Sequence, residues 1–317
     1  MTDKELYRAL CLKEHSIPVY AQDWWLDCVC GENRWNVLLI LQDGLVSATI
    51  PYYMPCRGII TMPPFTQTMG IWFNPVFEMK RTASELYRRQ TVCEEFIRRL
   101  PAHSYFLQNF HYSFTDWLPF YWNGFRQTTR YSFLLHDIKD KETLYNNLGR
   151  SIKENLKKAN KNRLQVRRNV PIDEFIKINA QVFARQSIKV AHQNTLRKLV
   201  STAVSRKQGN IWGAYDEQGK LHAAVFVVWQ DDCAYAIANG TYTHLRKSGG
   251  LSLVLLQAIS DLSSSCTVFD FCGSMIKGVE FFFREFGTTQ KQYFQIEKGK
   301  MNILNRIQIK LKQKINA

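Results

Sequence analysis

Arg246-Lys247-Ser248-Gly249-Gly250 is the stretch of this sequence best equipped for chemistry. It stands between a run that reads as a strand, Cys233 to Ala238, and one that reads as a helix, Leu251 to Leu262. Glycines let a backbone approach a ligand closely, the N–H groups at a helix start favour an anion, and Arg246 and Lys247 add charge from the loop. A pyrophosphate fits such a place, although an ordinary turn uses the same residues. Two carboxylates follow, Asp270 at the end of the strand Thr267 to Phe271 and Glu280 in the segment after it. Both are candidates for moving a proton, as is Tyr235; a surface carboxylate, a helix cap and a core tyrosine are the alternative readings. A second group lies upstream: Phe65, Thr66, Gln67 and Trp72 within PPFTQTMGIWFNP, with Gln108 and His111 beyond it. Its aromatic walls and uncharged hydrogen-bonding groups suit a sugar or a small polar amine. A rigid loop packed on core aromatics explains it equally well.

The elements that must position these residues repeat. In the first half, Trp35 to Leu41 and Leu45 to Tyr53 flank Asp43-Gly44, a strong hairpin signal, and Ser84 to Leu100 has helical spacing with arginines on its outer side. In the second, Asn210 to Tyr215 and Leu221 to Trp229 flank Gln218-Gly219, and the glycine loop precedes the helix and strand already named. YWNGFRQTTRYSF at 121–133 echoes FREFGTTQKQYF at 283–294, so each half closes with a strand, a short aromatic helix and another strand; internal duplication is the simplest account. Between the halves, Glu142 to Arg163 reads as one helix, apolar on one side and carrying Arg150, Lys153, Lys157 and Lys161 on the other.

The chain of 317 residues carries a net charge of +15, most of it in two places. Residues 1–149 hold 15 basic and 15 acidic groups, residues 150–168 eight and one, and residues 298–317 six and none. Charge this local can hold a polyanion, a phosphorylated ligand or a membrane surface, and a solvated face is the plainer reading. The last segment has apolar residues at near-helical spacing. This makes it a candidate for packing on the second domain or for peripheral membrane contact as a basic amphipathic helix. No apolar run approaches the roughly 18 residues that span a bilayer, and the N-terminus lacks the apolar core of a signal peptide, so a cytoplasmic protein, membrane-associated at most, is expected. The eight cysteines form no CxxC pair and have no histidine pair at ligand spacing nearby, so reduced thiols and no metal are expected.

Hairpin, strand, glycine loop, helix, strand is the order in which GCN5-type (GNAT) acetyltransferases cradle coenzyme A. Arg246 and Gly249 match their loop pattern, while Leu251 stands where a last small residue is usual. With SIKENLKKA at 151–159 and FDFCGSMIKGVEFFFREFG at 269–287, the chain resembles the Fem-type family of tandem acetyltransferase-fold proteins, related to the aminoacyltransferases that build peptidoglycan cross-bridges. The resemblance implies an α/β (α+β) fold of two GNAT-like domains, each a mixed sheet flanked by helices, expected at 1–135 and 136–317. It implies an N-acyltransferase with acyl-CoA, acetyl-CoA first, as donor and the amine of a sugar, peptide or envelope precursor as acceptor. The first domain would bind the acceptor, held between the domains, with Arg150 and Lys153 as further substrate contacts. The family's Phe-Lys pair falls on Phe283-Arg284; a guanidinium is not deprotonated, so Arg284 would stabilise charge and not act as a base. The helical arm of tRNA-dependent members has no room between Phe175 and Lys207. Two other readings stay open: an aminoacyl-tRNA donor gripped by Arg150 to Arg168, and a noncatalytic ligand-binding protein.

Overall fold

The computed structural model describes residues 1–185 and 192–301. The basic segment beyond residue 301, with its expected helix and membrane contact, lies outside them. The described chain forms two compact units: Met1–Arg130 joined by the strand from Gln292 on, and Tyr131–Lys291.

The first unit begins with α1 (Asp3–Cys11) and α2 (Asp23–Val29). The hairpin β1 (Trp35–Gln42) and β2 (Leu45–Cys56) follows, then β3 (Ile59–Thr61), β4 (Trp72–Phe73), α3 (Thr82–Arg99), β5 (Tyr105–Asn109) and α4 (Leu118–Trp122). Asp43 and Gly44 both take positive φ, 51° and 76°, as a two-residue hairpin turn requires. β2 pairs antiparallel with β1, β3 and β4, whereas β3 and β5 are parallel, with α3 in the connection between them.

β6 (Arg126–Leu135) leads into the second unit, with α5 (Lys141–Asn147), α6 (Arg150–Lys161), β7 (Gln165–Arg168), α7 (Ile172–Arg185) and α8 (Gln193–Ser205). Then come β8 (Gly209–Tyr215), β9 (Leu221–Gln230), β10 (Cys233–Thr241), α9 (Gly250–Leu262), β11 (Val268–Asp270), α10 (Lys277–Arg284) and β12 (Thr289–Gly299). β7 to β10 form an antiparallel ladder; β10 and β11 are parallel across α9, and β11 pairs antiparallel with Leu134 and Leu135 of β6. In the first unit the corresponding place beside β5 is taken by β12, with Gln295 opposite Asn109. Each unit therefore draws its closing strand from the other half of the sequence. This departs from the expected boundaries, which kept everything after residue 135 in one block.

Each sheet supports its own core. Trp212, Val225, Phe269 and Ile259 are fully buried in the second unit; Ile50, Phe96, Phe106 and Phe110 are in the first. Side chains of this size contribute about 1.5–3 kcal/mol each on burial.

The helix expected over Glu142 to Arg163 is two helices. α5 ends at Asn147, and Gly149 restarts the chain as the N-cap of α6. The cause is tertiary: the Glu285 carboxylate accepts from Ser151 N (3.1 Å) and Ser151 Oγ (2.7 Å), and Gly149 N donates to Glu285 O (2.7 Å). A carboxylate there satisfies an open N–H and meets the positive end of the helix dipole, and a Cβ on Gly149 would stand 2.4 Å from it. Replacing Glu285 by Ala is expected to cost about 1–2 kcal/mol in urea unfolding, with Glu285→Gln recovering part of it; a loss under about 0.3 kcal/mol would refute the cap.

Candidate active site

The parallel strands β10 and β11 pair over only three residues, from Cys233 opposite Val268 to Tyr235 opposite Asp270. β10 then runs on through a bulge between Ala236 and Ala238 to Thr241, while β11 ends. Beyond Tyr235 this side of β10 has no partner strand among the described residues, which leaves a gap at the C-terminal end of the parallel pair, the edge where open α/β sheets place ligands. Around this gap lie the loop Thr243–Ser248, the start of α9, and residues 271–276. α7 holds the far part of β10: Asn179 Nδ2 donates to Asn239 O (2.7 Å), and a Cβ on Gly240 would meet the Ile178 and Asn179 backbone at 2.6 Å.

Asp270 is fully enclosed. Ser132 Oγ donates to its Oδ1, and Cys272 N donates to the same oxygen at 2.8 Å. Burial raises its carboxyl to about 6, against the lowering effect of the Ser132 and Cys272 bonds. The two bonds fix the turn after β11, where Cys272 and Gly273 both have positive φ and a Cβ on Gly273 would lie 2.0 Å from Tyr131 O. Tyr235 is buried opposite Asp270, beside the Cys233 thiol, which burial and then Asp270 push up and a hydrogen bond with Tyr235 lowers. The sequence missed Ser132, which nothing local marks. Glu280 and Arg284 are apart from this cluster in character: they pair with each other at 3.6 Å on α10, with Arg284 over the Phe281 ring and 59% exposed, while Phe283 is core. Such an ion pair is worth little on its own.

The glycine loop is arranged otherwise than expected. Gly249 has φ 85°, and a Cβ there would lie 2.0 Å from Asn155 O and 2.9 Å from Ala159 N, so this glycine admits helix α6. Ser248 is buried and its Oγ accepts from Gly250 N, and Gly250 lies against His222 and Leu164. Asn155 Nδ2 and Asn162 Nδ2 complete the junction, donating to Ser252 Oγ (3.1 Å) and Ser248 O (3.3 Å). Ser248, Gly249 and Gly250 are therefore packing residues first. Arg246 and Lys247 remain exposed, next to the exposed Lys157, Lys158 and Lys161 of α6, and none of the five is in an ion pair among the described residues. Two basic clusters some ninety residues apart in sequence meet here; spacing could not reveal it. Arg150 and Lys153 are engaged locally, with Glu154 (2.8 Å) and with Asn146 O (3.1 Å).

In the first unit, Trp72 and His111 line a cavity of about 250 Å³ at the C-terminal side of the parallel pair β3 and β5. The other residues expected there do internal work. Thr66 Oγ1 accepts from Trp25 Nε1 (2.9 Å), Gln108 is fully buried and donates to Pro51 O (2.7 Å), and Gln67 O accepts from Asn109 Nδ2 (2.9 Å). Phe65 is half-buried with φ 56°. Thr66 and Gln108 thus also support the loop and the strand beneath it.

Residues 146–284 match the family model described as an acetyltransferase (GNAT) domain. Over its full length the chain is similar to FemX, with a TM-score of 0.67 at 12% identity, covering 100% of this chain and 99% of that one. It is also similar to L-PGS from Bacillus licheniformis (TM-score 0.55, 10% identity, coverage 100% and 98%). A third is the C-terminal domain of a putative lysylphosphatidylglycerol synthetase from Agrobacterium fabrum (0.57, 11%, 99% and 96%). No curated protein matches the chain by sequence. The GNAT match thus falls on the second unit, with the parallel strands β10 and β11 and the crossover helix α9 between them, and the chain as a whole shares the fold of FemX.

Proposed function

We propose that the protein is an N-acyltransferase that takes its acyl group from an acyl-CoA, acetyl-CoA first, and delivers it to an amine on a sugar, peptide or envelope precursor. The observation that carries this reading is that β10 runs on past Tyr235 after its parallel partner β11 ends, which leaves a strand edge followed by a loop with two exposed cations. Backbone groups of that edge can hydrogen-bond the amides of a pantetheine arm, and Arg246 and Lys247 can pair with its phosphates. When bound, the donor supplies an activated thioester. The chain's own residues orient it, hold the 271–276 turn through Asp270, and exclude water. Burial raises the Asp270 carboxyl to about 6, and the Ser132 hydroxyl bonded to it is the group through which it can exchange a proton, while Cys272 N only holds the carboxylate in place.

The joined cationic surface of α6 and the 243–248 loop favours a second reading, an aminoacyl-tRNA donor, since five unpaired cations in one area suit a longer polyanion. Calorimetric titration of the full chain with acetyl-CoA, beside an Arg246→Ala, Lys247→Ala variant, tests the first. Saturable binding weakened about tenfold or more in the variant is expected. No binding of acetyl-CoA, together with strongly salt-dependent binding of an RNA hairpin lost in the same variant, would replace it with the second.

A further inference from the structure

We infer that the cavity of the first unit is an oxyanion subsite, in which Arg89 pairs with a carboxylate or phosphate of the ligand while Trp72 and Phe73 carry its body. This rests on the acyltransfer reading only for the role of that ligand, which would be the acceptor; the binding is independent of it.

The polar side chains at the cavity wall are Arg89, Ser16, His111 and Ser113, with the Trp72 indole. Arg89 uses Nε on Glu85 (2.5 Å) and lies over the Phe73 ring at 4.9 Å, and its two Nη atoms have no hydrogen-bond partner among the described residues. Glu85 already accepts from Arg88 at both oxygens and from Met79 N, so one carboxylate serves two guanidiniums and the cluster keeps a net positive charge. His111 Nδ1 accepts from Ser113 N (3.3 Å) and meets Ser113 Oγ at 2.8 Å, which fixes the ring at the cavity wall. Ser16 Oγ accepts from Trp72 Nε1 (3.0 Å) and keeps its own proton to give. Among the described residues no carboxylate lines the space. A cavity bounded by a guanidinium and a hydroxyl, with aromatic walls, selects an oxyanion on a small body. The sequence suggested uncharged recognition because Arg89 lies on α3, seventeen residues after Trp72, and read as part of a solvated face.

The test uses the full chain without any acyl donor, so that failure of the donor reading leaves it intact. Saturation-transfer NMR and tryptophan fluorescence would measure binding of N-acetylalanine and of glycerol 3-phosphate against their neutral counterparts, N-acetylalanine amide and glycerol. At least one anion is expected to bind about tenfold or more tightly than its neutral partner, with that preference lost in Arg89→Gln and kept in Arg98→Gln, which removes the same charge elsewhere on α3. Which anion wins separates a peptide carboxylate from a phosphate monoester. Should Arg89→Gln fail to fold, Ser16→Ala is expected to weaken the anion about threefold and leave the neutral probe unchanged. Equal binding of charged and neutral probes, no binding of either anion, or full binding by the folded Arg89→Gln protein would overturn the inference.

Discussion

A Gly249→Ala protein is expected to lose about 3–5 kcal/mol of stability, enough to lower the melting temperature of a unit this size by roughly 10 °C or more. Two costs add. A side chain at φ 85° is strained by about 1–2 kcal/mol, and the new methyl would lie 2.0 Å from Asn155 O, so α6 or the loop must move, at about 1–3 kcal/mol. Gly250→Ala, whose Cβ would meet side-chain carbons at 3.3 and 3.4 Å, is expected to change stability by less than about 1 kcal/mol. Chemical denaturation of the two variants beside the wild type distinguishes a glycine kept for helix packing from one kept for a ligand. If Gly249→Ala is as stable as the wild type but loses donor binding, the loop cradles the ligand and the packing account is wrong.

The second large effect is electrostatic. Asp270 has its carboxyl raised from an ordinary 3.8 to about 6 by burial, so the folded state prefers it protonated. Its stabilising contribution is fully present below pH 3.8 and is lost as pH rises through 6; the difference amounts to about 3 kcal/mol by pH 7. Asp270→Asn removes that titration while keeping an oxygen for Ser132 and Cys272 N. The stability difference between wild type and variant, measured by urea unfolding from pH 4 to 7, is therefore expected to shift by about 2 kcal/mol in favour of Asn, the remainder being lost already below pH 4. Comparing the two proteins at each pH cancels every other titrating group, including Glu85, which its arginines hold down at about 2. A pH-independent difference would mean that Asp270 is ionised throughout and that its surroundings are more polar than the fold indicates. A carboxyl kept in a costly place at the C-terminal end of a parallel strand pair is the kind of strain that functional sites store.

Local signals were legible where local physics decides. Asp43-Gly44 announced its hairpin because a two-residue turn needs two positive φ angles, and the strands at 210–215 and 221–229 announced themselves through apolar runs buried on both faces. The order of elements around the glycine loop sufficed for the GNAT resemblance, since each element carries its own periodicity. Asp270 was singled out by its place at a strand end, and the structure gives that place its buried partners.

Features that depend on which surfaces meet were not legible in the sequence. The glycines of the loop looked like a cradle, and only the approach of α6 shows what Gly249 admits; no spacing relates it to Asn155. Glu285 splits a helix that sequence periodicity runs straight through, because a cap can come from 134 residues away. The exchange of β6 and β12 between the halves was equally hidden, for two echoed strands can satisfy the same hydrogen bonds in either unit. By itself the sequence determined the class of fold, the two-part plan and the concentration of cations, all of which follow from composition and short-range pattern. The tertiary structure alone decided that Arg246 and Lys247 stand beside the lysines of α6, that Asp270 is enclosed, and that Arg89 faces the same cavity as Trp72, because those depend on contacts between elements distant in the chain.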